Sequence, residues 1–468
     1  MKKLEGYDFY REVLGSPRYV VAPMVDMSEL AWRELSRNNG AQLCYTPMFH
    51  SSHFAQSATY RRDNFQTCPE DRPLIVQFCG NDPQTVLEAA RYVEGHCDAV
   101  DLNLGCPQGI AKRGHYGAFL QDEWELISSI VSLLHKELSI PVTCKIRVFS
   151  EVEKTIEYAK MLEKAGCQLL TVHGRTREMK GAQTGIADWD QIKAVRQAIK
   201  IPMFANGNIL YFEDVERCLV ATGVDGVMTA ETNLYNPALF TGKNPNVWEV
   251  VDDYLEIAQK HNTGFIHVKA HVYKLYNITF QIRHDLRNLL ANVHTVQDVL
   301  DAQQVIKAAL IETSKKECAD VQVQRVETCA NFKHFPYWVC QPYFRSTRLE
   351  ALTGDKVKVE TDLEATLRAE RKSRKEAKRL RKAALYQKAL LKPAKKRKFA
   401  SCTGCKQNPK SDKCIHQMCK RCCITKTLEV VVDCEQHHVM AKSRADRINA
   451  EKIESETKNS VTISASGV

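Results

Sequence analysis

Eight short runs of mostly branched-apolar residues recur between residues 19 and 231, separated by polar stretches with helical patterning. They are YVVAPMV from Tyr19, AQLCYTP from Ala41, PLIVQFCG from Pro73, AVDLNLGC from Ala99, PVTCKIRVF from Pro141, LLTVHGR from Leu169, PMFANGNI from Pro202 and GVMTAE from Gly226. Near-continuous apolar strands alternating with helices predict a parallel sheet covered by helices. Eight such units in about 230 residues predict an α/β fold, a (β/α)8 TIM barrel, over an open doubly wound sheet. No glycine-rich dinucleotide turn follows the first run, which also disfavours the open sheet. The gaps carry helix punctuation. Ser28 is placed as an N-cap and Gly40 as the residue after a helix end; Ser150 with Glu153 has capping-box spacing, and Gly166 closes that helix.

From residue 248 to 345 the pattern changes to helical stretches without β-runs: VWEVVDDYLEIAQKH, KAHVYKLYNITFQ, HDLRNLLANV and TVQDVLDAQQVIKAALIETSKK. The expected organisation is therefore an N-terminal extension (1–17), a barrel (18–241) and a helical domain (242–345). A linker with a basic helix (346–399), a Cys/His-rich module (400–440) and a disordered tail (441–468) follow.

Composition changes this picture in two places. The 468-residue chain carries a net charge of +10, yet Arg368 to Lys398 alone holds 15 Lys or Arg against two acids. The basic character belongs to one segment, the footprint of a tether to a polyanion, and its KKRK also fits a nuclear localisation signal. Seven of the 18 cysteines crowd between Cys402 and Cys434, and the others are scattered singly. Scattered cysteines and a charged, aromatic start without an apolar signal core point to a reducing, intracellular setting, cytoplasm and/or nucleus. No run is long enough for a membrane helix, so no membrane partner is expected, and the chain is expected to be a monomer.

In a parallel barrel, function gathers at the C-terminal ends of the strands. Those ends read Ala22-Pro23-Met24, Gln77, Asn103 with Cys106, Lys145 with Arg147, His173 with Arg175, Asn206-Gly207-Asn208 and Ala230-Glu231. Cys106 opens the longest gap, 42 residues between run starts, which also carries Arg113 and His115. A thiol of ordinary pKa, about 8.5, can donate a proton at neutral pH. Nearby cations could instead make it a nucleophile, or it could be an inert loop thiol. Lys145 inside an apolar strand needs a partner: a buried carboxylate, or a group that gains negative charge, such as a reduced flavin. Asn206-Gly207-Asn208 and the Thr229–Thr232 segment end the seventh and eighth strands, where many such barrels hold a phosphate, and Asn236-Pro237 could start a short helix there. In the tail, CTGCKQNPKSDKCIHQMCKRCC pairs two C-x2-C hooks, a structural-zinc signal with Cys402, Cys405, Cys419 and Cys422 as ligands. Spare thiolates and imidazoles remain for a second ion, and a reduced, disordered tail is the alternative.

Taken together, "APM", "NLGCP…K…GHYGAFL", "CKIR", "VHGRT", "ANGNI" and "GVMTAETNLYNPALF", in order over residues 18–240, resemble the tRNA-dihydrouridine synthases, in the eukaryotic group acting on D-loop positions 16 and 17. The resemblance implies FMN-dependent reduction of the uridine C5–C6 double bond in tRNA, with hydride from FMN to C6, a proton from Cys106 to C5, and NAD(P)H as reductant. It implies that Ala22, Pro23, Met24, Gln77, Lys145 and His173 hold the flavin. Asn206, Gly207, Asn208, Ala230 and Glu231 would hold its phosphate end, and Asn103 would lie beside the uracil. Arg113, His115, Arg147 and Arg175 are candidates for gripping phosphates or the base edge. The Ala230-Glu231 form fits this group, which usually continues with Gly where Thr232 stands. Two other readings compete: an FMN barrel reducing a small molecule, which leaves the basic helix and cysteine cluster without a task, and a catalytically silent RNA-binding protein.

Overall fold

Alternation along each β-run sorts its side chains between two environments. The computed structural model describes residues 3–317, 335–343, 400–411, 413–430 and 433–437. Its strands are β1 (Tyr19–Val21), β2 (Leu43–Tyr45), β3 (Phe49–His50), β4 (Leu74–Cys79), β5 (Ala99–Leu104), β6 (Val142–Arg147), β7 (Leu170–His173), β8 (Met203–Asn206) and β9 (Gly226–Thr229). All pair in parallel, and β1 meets both β2 and β9. β2 also pairs β4, so the sheet closes. Each of the eight predicted runs supplies one barrel strand. The ninth strand, β3, continues β2 beyond a one-residue bulge: Tyr45 faces Ile75, whereas Phe49 faces Phe78. Pro47 lies in that break, where its missing N–H costs the ladder nothing.

Val76, Val100, Leu102, Cys144, Ile146, Val172 and Ala205 point outward into the layer of covering helices and are buried there. The opposite set fills the barrel in two levels. Val20, Leu43, Tyr45, Ile75, Ala99, Leu169, Phe204 and Met228 form an apolar floor. Above it, nearer the C-terminal ends, the inward positions turn polar. The floor is capped by the N-terminal extension, whose Gly6–Val13 helical segment buries Phe9, Tyr10 and the following Leu14 among those residues. Gly6 N–H donates to Gln168 Oε1 at 2.8 Å, and Tyr7 Oη donates to Asp225 Oδ1 at 2.9 Å. The extension is thus a plug for the barrel bottom.

Helix ends matched expectation in part. Gly40 and Gly166 follow helix ends with positive φ, and Asn236 caps a 3-10 turn at Pro237–Thr241 by accepting from Ala238 N–H. Neither expected serine cap forms. The helix Leu30–Asn38 is preceded by Glu29, and Val152–Lys164 by Glu151, both without a side-chain cap. Ser28 instead turns inward, its Oγ accepting from Met24 N–H at 3.0 Å and donating to Met24 O at 3.1 Å.

Helices Val247–Lys260, Phe265–Leu275, Asn277–Ile282, His284–Ala291 and Val296–Glu317 share one apolar core. The strap at residues 335–343 buries Trp338 and Cys340 in that core, and Val339 bridges antiparallel to Asn246. The core continues onto the barrel helix Leu30–Asn38 through Trp32, which stacks on the fully buried His271 at 4.0 Å. Glu29 receives His271 Nε2 at 2.8 Å and Tyr254 Oη at 3.0 Å. Burial pushes the Glu29 carboxyl up, but the His271 imidazole and these hydrogen bonds outweigh it, leaving the pKa below its ordinary value. Chain contacts divide the protein into two units, residues 1–358 and 359–468. The expected basic helix and the C-terminal tail fall outside the described residues. No helix among the described residues is long and apolar enough to cross a membrane.

Candidate active site

The polar upper level of the barrel forms one connected network. Thr143 on β6 donates to Asp101 Oδ1 on β5 at 2.7 Å. Asp101 Oδ2 accepts from Gln77 Nε2 on β4 at 2.8 Å. Gln77 Oε1 accepts from Asn103 Nδ2 at 2.8 Å. Asn103 Oδ1 in turn accepts the backbone N–H groups of Gly105 (3.1 Å) and Cys106 (2.9 Å). A chain of hydrogen bonds therefore runs from the barrel interior to the peptide that carries the thiol. Burial pushes the Asp101 carboxyl up to about 6, opposed by Gln77, Thr143 and Lys145.

Lys145 stands at the centre of this level. Its Nζ donates to Asn206 Oδ1 at 3.0 Å, and Asn206 Nδ2 donates to Met228 O at 2.8 Å. No carboxylate lies within ion-pair distance of it among the described residues. Burial, with Arg147 adding, lowers its ammonium to about 8, while Asp101 and Cys106 pull the other way. The expected alternative of a carboxylate-paired lysine is therefore not what forms. A desolvated cation held by one amide oxygen suits a ring that accumulates negative charge, and this is the feature that makes the residues fit FMN.

Cys106 is half-buried beyond the end of β5, packed with Cys79, Ala111 and Tyr116. It lies close enough to Lys145 and Arg147 to interact with both electrostatically, so the thiol borders the barrel mouth. Ala118 N–H donates to Cys106 O at 3.1 Å, which folds the Gly117–Leu120 turn back over the cysteine. This requires Gly117: its φ is +65°, and an added Cβ would sit 2.9 Å from Cys106 O and 3.0 Å from Cys106 Cβ. The neighbouring Tyr116 hydroxyl is pushed up to about 12 by burial and by the two thiols, with Arg113 opposing.

The candidate phosphate end is tied together by Arg175. Its guanidinium donates to His173 Nε2 (2.9 Å), Asn208 Oδ1 (2.8 Å) and Gly185 O (3.2 Å). Since arginine only donates, His173 Nε2 accepts, and the ring proton resides on Nδ1. Gly207 has φ +114°, and a Cβ there would lie 2.6 Å from Ala187 Cβ. Asn208 follows with φ +64°. Ala230 precedes a short helix, Glu231–Tyr235, whose Thr232 Oγ1 donates to Ile209 O at 2.5 Å. Thr232 thus couples the ends of β8 and β9 where a glycine was the usual expectation.

The four candidate gripping residues separate. Arg147 is 8% exposed and donates to the carbonyls of Gly105, Thr176 and Met179. Arg147 and Arg175 therefore also order the rim loops. Arg113, in the short helix Gly109–Gly114 that follows Cys106, and His115, which ends it, are exposed, with His115 Nε2 2.7 Å from Glu123. Just past the end of β1, Ala22 is buried while Pro23 and Met24 are partly open. Arg33 fixes that turn: 1% exposed, it donates to Asp71 (2.6 Å), Gln66 O (2.7 Å) and Ser28 O (2.7 Å). Ser28 then holds Met24. A cleft of about 580 Å³ between the β2 end and the helical domain is lined by Thr46, Met48, Tyr60, Arg62, His261 and His267, among others.

Sequence reasoning missed Asp101, Thr143, Cys79 and Tyr116. Their signal was present: Asp101 and Thr143 occupy inward positions of apolar runs, and Cys79 is the last inward position of β4. In the second unit, Cys402, Cys405, Cys419 and Cys422 converge as expected, with ligand atoms within 4.8 Å of one another.

Comparison with known proteins identifies the family. The family described as dihydrouridine synthase (Dus) matches residues 20–331. A protein of Mus musculus named as tRNA-dihydrouridine(16/17) synthase, NAD(P)(+)-like, is 48% identical over 451 residues, covering 96% of this chain and 93% of the mouse protein. A Schizosaccharomyces pombe protein named as tRNA-dihydrouridine(16/17) synthase, NAD(P)(+), is 46% identical, covering 76% of this chain and 94% of its own. A Homo sapiens protein named for positions 20a/20b is 35% identical, covering 60% and 89%.

Proposed function

Because this chain belongs to the dihydrouridine synthase family, we propose that it reduces uridine at D-loop positions 16 and 17 of tRNA, using FMN recharged by NAD(P)H. The chain is an oxidoreductase that forms dihydrouridine in tRNA. When bound, FMN supplies hydride to uracil C6. The residues that would hold it are Ala22, Pro23, Met24, Gln77, Lys145 and His173, with Asn206, Gly207, Asn208, Ala230 and Glu231 at the phosphate end. The observation that carries this reading is Lys145, a desolvated cation at the barrel mouth with an amide oxygen for its partner.

Cys106 serves as the proton donor. Saturating C5–C6 takes one hydride and one proton; the Cys106 S–H gives its proton to C5, and the thiolate regains one from solvent. Asn103 fixes the Cys106 backbone, and its coupling to Gln77 links the donor's position to that of the ring. The uracil must leave its stack to reach this depth, a motion that costs a few kcal/mol. The cleft lined by Arg62 and His267 is large enough for a nucleotide and adjoins the helical domain. The basic segment from Arg368 to Lys398 would add sequence-independent, salt-sensitive attraction for the tRNA backbone. In the second unit, Cys402, Cys405, Cys419 and Cys422 would bind a structural zinc ion.

Cys106→Ala is expected to keep the flavin absorbance of the purified protein while abolishing dihydrouridine, measured by nucleoside mass spectrometry on unmodified tRNA. An unchanged yield would refute the donor role. Flavin re-oxidation by free uridine as fast as by tRNA would favour a small-molecule substrate.

A further inference from the structure

The C-terminal module has too little apolar material to fold by burial alone. Among its described residues, the buried cluster consists of three thiols, Cys414, Cys423 and Cys434, with Met418 and Ile424 packed beside them. Chains below about 40 residues rarely fold without disulfides, metals or association. None of the module's seven cysteines forms a disulfide. Cys434 Sγ lies 3.9 Å from Cys414 Sγ, and Cys405 Sγ lies 3.9 Å from Cys419 Sγ. Disulfides need about 2.05 Å. Two thiolates on one tetrahedral zinc, each at about 2.3 Å, stand about 3.8 Å apart. The spacing is that of ligands, not of bonded sulfurs.

We propose that Cys414, Cys423, Cys434 and His437 form a second zinc site, making the module a two-zinc, cross-braced unit. This deepens the zinc reading of the Cys402 set given above. The four ligand atoms lie within 4.8 Å of one another. Cys434 Sγ stands 3.6 Å from His437 Nδ1, against about 3.6 Å for a sulfur and a nitrogen on one zinc. Three thiolates and an imidazole are a closed structural donor set with no position left for a substrate.

The order of ligands along the chain interleaves the two sites. Cys402 and Cys405 belong to the first, Cys414 to the second, Cys419 and Cys422 to the first, and Cys423, Cys434 and His437 to the second. Cys422 and Cys423 are adjacent on the helix Lys420–Val430. Successive helical side chains point about 100° apart, so one helix hands a thiolate to each ion. Gly404 allows the first hook to close against this helix: a Cβ there would lie 3.0 Å from Cys422 Cβ and 3.1 Å from its Sγ. Each ion therefore fixes a segment that the other needs. Reading the first site alone from the paired C-x2-C hooks leaves Cys423 as an extra cysteine; the interleaving gives it a partner set.

The test uses the full chain, purified without chelator, with metal content measured by plasma mass spectrometry. Two zinc ions per chain are expected, falling to one in Cys434→Ser. One zinc per chain in the wild type, retained in Cys434→Ser and lost in Cys405→Ser, would overturn the second site and leave the first standing. No zinc at all would overturn both. Because cross-bracing can make a single variant release both ions, zinc X-ray absorption on the wild type supplies a second measurement. Its first shell should contain seven sulfurs to one nitrogen across the two ions, and a shell of sulfur alone would overturn the assignment.

Discussion

Gly117→Ala tests whether the turn over Cys106 sets the position of the thiol. The left-handed φ of +65° penalises any side chain, at about 1–2 kcal/mol. The new methyl would also stand 2.9, 3.0 and 3.2 Å from the O, Cβ and N of Cys106, where 3.4–4 Å is ordinary contact. Relieving all three overlaps means moving Cys106 by roughly 0.3–0.5 Å, close to the tolerance of a reacting group. A misplacement of about 1 Å can cost a hundredfold in rate, so about tenfold is expected here. Gly223→Ala is the control: φ there is +70°, but nothing lies within 4 Å of the added Cβ. Gly117→Ala should lose at least as much stability as Gly223→Ala by urea titration, and both should keep their flavin. Only Gly117→Ala should slow single-turnover dihydrouridine formation. Equal rates in the two variants would show that the turn does not position the donor.

Lys145→Met removes the half-buried cation while keeping the length of the side chain; co-purified flavin should fall about tenfold, equivalent to about 1.4 kcal/mol, with thermal stability unchanged or higher. Full flavin occupancy would count against Lys145 as a ring contact. Asp71→Asn strips the buried Arg33 of its carboxylate and should cost about 3–5 kcal/mol in urea unfolding. Asp63→Asn breaks only the exposed pair with Arg62 and should cost under about 1 kcal/mol. Glu29 has a folded pKa below its ordinary 4.5, so its contribution is present above that value and lost as pH falls through the folded one. Stability measured from pH 6 to about pH 3 should therefore fall more steeply in the wild type than in Glu29→Gln, and parallel curves would contradict the assignment.

Strand positions were legible because burial on both faces makes each strand a dense apolar run, and polar residues that interrupt it mark the rim. Lys145 and Asn206 were visible this way. Asp101 and Thr143 were equally visible but unassigned, because a lone polar residue in a strand does not announce which neighbour satisfies it. Ser28 shows the limit of local rules. Its spacing is right for a cap, yet the turn before the helix leaves Met24 in need of a partner, and tertiary demand wins. Residues 1–17 read as an N-terminal extension whose seat was not legible, because the floor that receives Phe9 and Tyr10 is assembled from strands spread between Val20 and Met228. Arg147 and Arg175 were visible through their charge, but their hydrogen bonds to rim-loop carbonyls depend on loop conformations that local sequence does not spell out.

Barrel closure by β1 against β9 has a consequence for biogenesis. Val21 faces Thr229 across the seam, so the first strand leaves the ribosome long before its partner exists. At about 5–20 residues per second, that delay is roughly 10–40 s. Throughout it, one edge of β1 is bare and the aromatic stopper has no floor to seat in. A nascent chain halted before residue 226 should therefore engage chaperones that recognise apolar edges, and release from them should coincide with emergence of the last strand.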